Sequence, residues 1–469
     1  MSRILMVASE AAPFAKTGGL ADVLGALPAA LVKLGEEVVV LLPRYGSVHL
    51  EGAARIVEEM PLSLGPHSFT VAIDQVEHDG VRYLFVDCPP LYGRMGIYNE
   101  WGAEYLDNHI RFGFLNLAAL EIAREIFPPD VFHAHDWPAG LLAPYLRETY
   151  AADPAFAGAK CVMTIHNLGY QGNFPGYLLP DLGLSPSLLR PQGLEFWGEL
   201  SFLKAGIVWS DAITTVSPTY ALEIQTPEYG NGLDGVLRDR AAKITGILNG
   251  VDYAEWNPEH DPDVRHHYSA ADLSGKRLAK RALLQEVGLP LNQERPLIGI
   301  VSRFAGQKGF DLVDAIAPEL AELDLAMAVL GSGELRFEKM FRELAEAHPQ
   351  KFVVRVGYDN GLAHRIEAGA DMFLMPSQYE PCGLNQMYSM RYGTVPIVRA
   401  TGGLEDTVDE TTGFKFIEYV PEALLDAIRR ALNAWQDREP WLQRMRRGMA
   451  KDFSWDASAA GYQRLYRSL

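Results

Sequence analysis

Two groups of cations and one repeated hexad hold the most chemical promise in this chain. Lys16 stands directly before "TGGLAD", residues 17–22, and a near copy, "TGGLED", returns at 401–406. Each copy follows an apolar run and opens a helical pattern. A threonine and two glycines there let a ligand come close to the backbone, and the first N–H groups of a helix have no partner of their own. Both copies are therefore candidate anion sites, and Lys16 adds a point charge aimed at the same oxygens. In "VSRFAGQKG", residues 301–309, Arg303 and Lys308 lie on the loop that leaves a strand, where two cations would neutralise a diphosphate leaving group. "GSGEL", residues 331–335, is only half of a dinucleotide fingerprint, because the third glycine is missing.

Further candidates sit at strand ends. "HAHDW", residues 133–137, and "TIHNLGYQG", residues 164–172, present His135, Asp136, Trp137, His166 and Asn167. Metal-ligand spacing is absent, whereas a polar group beside an indole suits a sugar. His133 also reads as a histidine satisfied in the core. In "PSQYEPCGLNQ", residues 376–386, a Pro-Cys-Gly sequence restricts the loop after Glu380 and holds that carboxylate in place. Tyr358 follows a strand, where it either stacks on a base or packs.

The elements that position these residues are short apolar strands alternating with helices: "RILMVA", "EVVVLLP", "DVFHAH", "CVMTIH", "DAITTVS" and "KITGIL". Such strands predict a parallel sheet covered on both faces. A hairpin through Asp79-Gly80 is expected as an antiparallel addition to it. A second series, "PLIGIVSR", "LAMAVLGSG", "KFVVRVG", "DMFLMPS" and "TVPIVRA", predicts another doubly wound unit. Asn-Gly, Asn-Pro and Asp-Pro breaks place a linker at 249–262. The expected division is therefore 1–248, the linker, 263–449, and a C-terminal amphipathic helix in 450–469 whose apolar side docks on a neighbouring domain. Ligands of open α/β sheets bind beyond the carboxyl ends of the strands, so the two hexads are expected to address one ligand from opposite walls of a cleft.

Composition narrows the partner. With 60 acidic against 42 basic residues in 469, the formal charge of -18 disfavours nucleic acid. Three scattered cysteines, Cys88, Cys161 and Cys382, make neither a disulfide framework nor a zinc cluster and fit a reducing cytoplasm. The apolar run at the N-terminus is too short for a secretory signal or a membrane span, and no Arg- and Ser-rich leader precedes the first strand.

Taken together, "KTGGLADV", "HAHDW", "TIHNLGYQG", "GILNGVD", "VSRFAGQKG", "PSQYEPCGLNQ" and "RATGGLEDTV" resemble the bacterial glycogen synthase family, the ADP-glucose-dependent starch synthases, from Met1 to Leu469. The resemblance implies a GT-B-type α/β fold, with two Rossmann-like domains facing a central cleft and the C-terminal helix returning to the first domain. The first is the acceptor-side, starch synthase catalytic domain and the second binds the nucleotide sugar. It implies retaining transfer of glucose from ADP-glucose to the non-reducing end of an α-1,4-glucan such as glycogen, with no cofactor, metal or membrane. Matching positions carry Lys16, Gly19, Asp22 and Asn249 to donor binding, Arg303 and Lys308 to the diphosphate, Thr401, Gly402 and Gly403 to backbone donors, and Tyr358 to the adenine. His166 and Glu380 match groups beside the reacting sugar, and Asp136, Trp137, Asn167 and Tyr98 line the acceptor side, with Asp136 also among the catalytic candidates. Eight positions after Glu380 stands Tyr388, so no second glutamate is available there. An α-glucan phosphorylase, by contrast, needs a Schiff-base lysine for pyridoxal phosphate and a much longer chain. A non-catalytic glucan-binding protein is disfavoured because Lys16, His166, Arg303, Lys308 and Glu380 are all present, and a transferase to a small acceptor is the nearest rival within the same fold.

Overall fold

Apolar strands are stable only where both sheet faces are covered, and Ile4, Leu5, Met6 and Val7 of the first strand have no exposed surface. The computed structural model describes residues 1–469 throughout. Nine strands form the first sheet: β1 Arg3–Val7, β2 Glu37–Pro43, β3 Ala54–Leu64, β4 His67–His78, β5 Val81–Asp87, β6 Val131–His135, β7 Lys160–Ile165, β8 Ala212–Thr215 and β9 Ile244–Gly246. Their order is β9-β8-β7-β6-β1-β2-β5-β4-β3. From β9 to β5 every pairing is parallel, and only β4 and β3 join antiparallel. The hairpin through Asp79 and Gly80 forms, with both residues at positive φ. Its second arm, however, pairs in parallel with β2, and the edge strand β3 is interrupted in sequence by Glu58, Glu59 and Pro61.

A second sheet holds β10 Leu297–Phe304, β11 Ala326–Gly333, β12 Phe352–Val356, β13 Met372–Met375, β14 Val395–Arg399 and β15 Phe414–Phe416. All its pairings are parallel, in the order β12-β11-β10-β13-β14-β15.

The chain divides into two compact units. One comprises Met1–Val216, Ala221–Gly250 and Trp455–Leu469, and the other Ser217–Tyr220 and Val251–Ser454. The segment expected as a linker is thus largely folded into the second unit. Asp261 is fully buried there, and its carboxylate accepts from His364 Nδ1 at 2.7 Å and from the Tyr392 hydroxyl. Ser217–Tyr220 also belongs to that unit, because Thr219 donates through its N–H and hydroxyl to Asp406 at 2.9 and 2.7 Å.

Helix α1, Gly19–Lys33, begins within the first hexad, and the short α2, Gly402–Thr407, begins within the second. The C-terminal helix α3, Trp455–Ser468, belongs to the first unit. Its Gln463 amide donates to Leu34 O at 3.0 Å and Glu36 Oε1 at 2.8 Å, which anchors the amphipathic face at the end of α1.

Candidate active site

The strand order of the first sheet reverses at β1, so the crevice lies beyond the carboxyl ends of β1 and β6. Glu10, just past β1, is buried at 3% exposure, an unusual place for a carboxylate. It is held there by donors. Thr17 and Gly18 give it their N–H groups, the Thr17 hydroxyl reaches it at 2.7 Å, and the Tyr98 hydroxyl at 2.6 Å. Tyr98 also meets Ser9 Oγ at 2.6 Å. The first hexad is therefore tied down by Glu10, which sequence reasoning passed over. Its signal is a carboxylate three residues beyond the end of an apolar strand. Lys16 is paired with Asp22 at 2.6 Å, both at the surface. A Cβ added at Gly18 or Gly19 would meet nothing within 4 Å, so the turn is open.

Asp136 follows β6 with φ 55° and ψ -174°, a region nearly reserved for glycine. Its Oδ1 accepts the His166 N–H at 2.7 Å, and the Asn167 N–H also points to it. Burial pushes the carboxyl up to about 7, against the pull of those N–H groups and aided by the charge of Glu10. Burial lowers His166 to about 3, so its ring is neutral at physiological pH. Asn167 spends its side-chain oxygen on Gly169 N, 2.9 Å away. Trp137 is packed among Phe112, Tyr98 and Phe174, with centroids 4.8 to 5.9 Å apart, so it props Tyr98 as much as it offers surface to a sugar. Asn249 is buried, and its Oδ1 has no partner.

An acid whose pKa is raised by folding contributes stability below its unfolded value near 4, and that contribution is lost as pH rises through about 7. Asp136→Asn keeps an acceptor for His166 without the buried charge. It should raise stability at pH 8 by roughly 2 kcal/mol and change it little at pH 4. Thermal unfolding across that range checks this; equal shifts at both ends would contradict it.

In the second sheet the reversal falls between β10 and β13, and a cavity of about 200 Å³ opens beyond their carboxyl ends. Arg303 and Lys308 line it from the β10 side and Ser377 and Glu380 from the β13 side. The two loops are joined closely: Gln378 N donates to Gln307 O at 2.8 Å. Gly309, at φ 73°, brings its Cα so near that a Cβ would lie 2.0 Å from Pro376 O. Lys308 Nζ consequently sits 2.5 Å from Glu380 Oε2, which also accepts from Ser377 Oγ at 3.1 Å. Glu380 is 6% exposed and Arg303 is exposed. Tyr358 is 86% exposed after β12, its hydroxyl on Asn360 at 3.3 Å.

The second hexad differs from the expectation. The N–H of Thr401 is bonded to Arg399 O at 3.0 Å, and that of Gly403 to Glu380 O and Pro381 O at 3.1 and 3.2 Å. Those two donors are spent inside the protein, so they are not available to a ligand in this conformation. A Cβ at Gly402 would lie 1.9 Å from Glu380 O, and one at Gly403 2.0 Å from Cys382 O. These glycines let α2 press against the Glu380 loop and hold it. Tyr388, at the position where a second glutamate would stand, is stacked at 3.9 Å on Trp256, which in turn stacks on His364.

Residues 3–239 match the starch synthase catalytic domain model, and residues 285–447 the model of glycosyl transferases group 1. Glycogen synthase of Koribacter versatilis is 50% identical, over 99% of this chain and 97% of its own length. That of Anaeromyxobacter dehalogenans (strain 2CP-C) is 50% identical, over 100% and 99%.

The chain belongs to the glycogen synthase family.

Like its relatives it is a glucosyltransferase that elongates glycogen, and its two doubly wound units are those of the GT-B fold. The catalytic domain of starch synthase IV from Arabidopsis thaliana, solved with ADP and acarbose, superposes with a TM-score of 0.90 at 33% identity, covering 100% of this chain and 99% of that one. Sucrose-phosphate synthase from Thermosynechococcus elongatus, with a TM-score of 0.61 at 18% identity over 100% and 99%, shares the fold alone. No helix of this glycogen synthase family member is long and apolar enough to cross a membrane.

Proposed function

We propose that the enzyme takes glucose from ADP-glucose and adds it, with retention, to the non-reducing end of an α-1,4-glucan. The observation that carries this reading is the cavity at the switch point of the second sheet, with two cations on one side and the buried Glu380 on the other. Arg303 and Lys308 face the diphosphate, and the exposed ring of Tyr358 stacks on the adenine. Glu380 accepts hydroxyls of the glucose. Within the first unit, the open turn at Gly18 and Gly19 and the Lys16–Asp22 pair serve the donor, and Tyr98, Trp137 and Asn167 serve the acceptor. The relative solved with ADP supports the choice of nucleotide.

Transfer on one face of the sugar needs a stabilised leaving group more than a nucleophile on the protein. The bond between the anomeric carbon and the phosphate oxygen breaks, and its electron pair leaves with ADP, whose charge Arg303 and Lys308 neutralise. The 4-hydroxyl of the acceptor bonds to the same carbon, and its proton passes to the departing phosphate oxygen. His166, neutral because it is buried, contributes polarity beside the oxocarbenium-like carbon without adding a repelling positive charge. The three buried cysteines, none of them in a disulfide, accord with work in the cytoplasm.

The deciding assay measures ADP and UDP released from the two glucose donors with and without glycogen. Glycogen-dependent release of ADP at the higher kcat/KM is expected; release of either nucleotide that ignores glycogen would overturn the reading. Treatment with a chelator should leave the rate within about twofold, since protein cations rather than a metal face the phosphates. A loss that added divalent metal restores would contradict that assignment.

A further inference from the structure

His133 and His135 are two residues apart on β6 and so project from the same face. Their rings lie 4.0 Å apart between centroids, and His166 at the end of β7 continues the column, stacked 5.3 Å from His135. Both nitrogens of His133 are committed, Nδ1 to the Tyr466 hydroxyl of α3 at 2.8 Å and Nε2 to Thr164 Oγ1 at 2.6 Å. His135 Nδ1 lies 3.0 Å from His166 Nε2, and its own Nε2 is buried with no partner.

This geometry limits where the protons are. Burial depresses all three rings well below the ordinary histidine value, so each carries one proton at neutral pH. One proton serves the contact between His135 and His166. Were it on His166 Nε2, the proton of His135 would have to sit on Nε2 as a buried N–H with nothing to accept it, an arrangement proteins rarely keep. With the proton on His135 Nδ1, the unpartnered atom is only a lone pair, His166 Nε2 accepts, and the His166 proton resides on Nδ1.

We infer that His135 is a positioning residue that fixes His166 as the Nδ1–H tautomer, leaving Nδ1–H as the one donor that ring offers to a bound sugar. The inference rests on the placement of His166 beside the reacting sugar. His133, locked by Tyr466 and Thr164, backs the column and keeps the His135 ring from turning.

The test is the ring nitrogen spectrum of the full-length enzyme labelled with 15N-histidine, the His166 signals being assigned by their absence in His166→Gln. At pH 7.5 the wild type should show Nδ1 protonated and Nε2 bare. His135→Phe keeps a stacking ring without a donor; it should release His166 into the other tautomer or a mixture and lower kcat roughly a hundredfold with little change in the glucan KM. His135→Asn places an amide donor near the old Nδ1 and should restore the tautomer and much of the rate. Nε2–H on His166 in the wild type would overturn the inference, as would Asn and Phe variants with equal losses and an unchanged His166 tautomer. The spectrum needs no turnover, so an active His166→Gln enzyme would refute the role of His166 in the reaction while leaving the tautomer result to stand by itself.

Discussion

Glu380→Gln should lower turnover by about a thousandfold and leave ADP affinity unchanged or slightly higher. The carboxylate is buried and accepts from both Lys308 and Ser377. Before donor binds, Lys308 is neutralised by Glu380 at 2.5 Å. Glutamine keeps the shape and an acceptor but removes the charge, so Lys308 is freed for the diphosphate proposed to bind there while the sugar loses its proposed charged partner. Charged hydrogen bonds to a reacting group in the transition state are worth several kcal/mol, which corresponds to a loss of this size in kcat. Single-turnover kinetics together with calorimetric titration of ADP separate the two effects. Parallel losses of kcat and ADP affinity in a folded variant would place Glu380 on the phosphates instead.

Alanine at two glycines of the same repeated hexad should give opposite results. Gly403→Ala puts a Cβ 2.0 Å from Cys382 O, a backbone atom that moves only if the Glu380 loop moves with it. Overpacking of this kind costs about 1–3 kcal/mol, corresponding to a drop in Tm of roughly 2–12 °C in a domain of this size, and activity should fall with the displaced Glu380. Gly19→Ala meets nothing within 4 Å at the start of α1. There alanine should leave Tm unchanged or raise it by a degree or two, because it favours the helix. Its Cβ would instead occupy space proposed for the donor and raise the donor KM several-fold. Thermal unfolding and donor saturation curves read both. Equal stability losses would mean that the two turns carry the same packing, contrary to their surroundings.

The sequence alone determined the parts of this enzyme that depend on local pattern. Unbroken apolar runs such as "ILMV" and "VVVLL" dictate sheets covered on both faces, and the loops that leave such strands are where Arg303, Lys308, Glu380, Asp136 and His166 had to lie. The hexad was legible as a glycine turn before a helix in both halves. Its two uses were not, because the first turn is held by Glu10 from below and left open, while the second is pressed against the carbonyls of Glu380 and Cys382. Likewise no periodicity announces that Tyr466 closes on His133, that Asp406 draws Thr219 into the second unit, or that Asp261 in a segment read as a linker is buried against His364. Those decisions belong to the tertiary structure. A buried polar group must find its partner wherever the fold brings one within hydrogen-bond reach, and here the partners are separated by 333, 187 and 103 residues, far beyond any spacing that a strand or helix imprints on its own sequence.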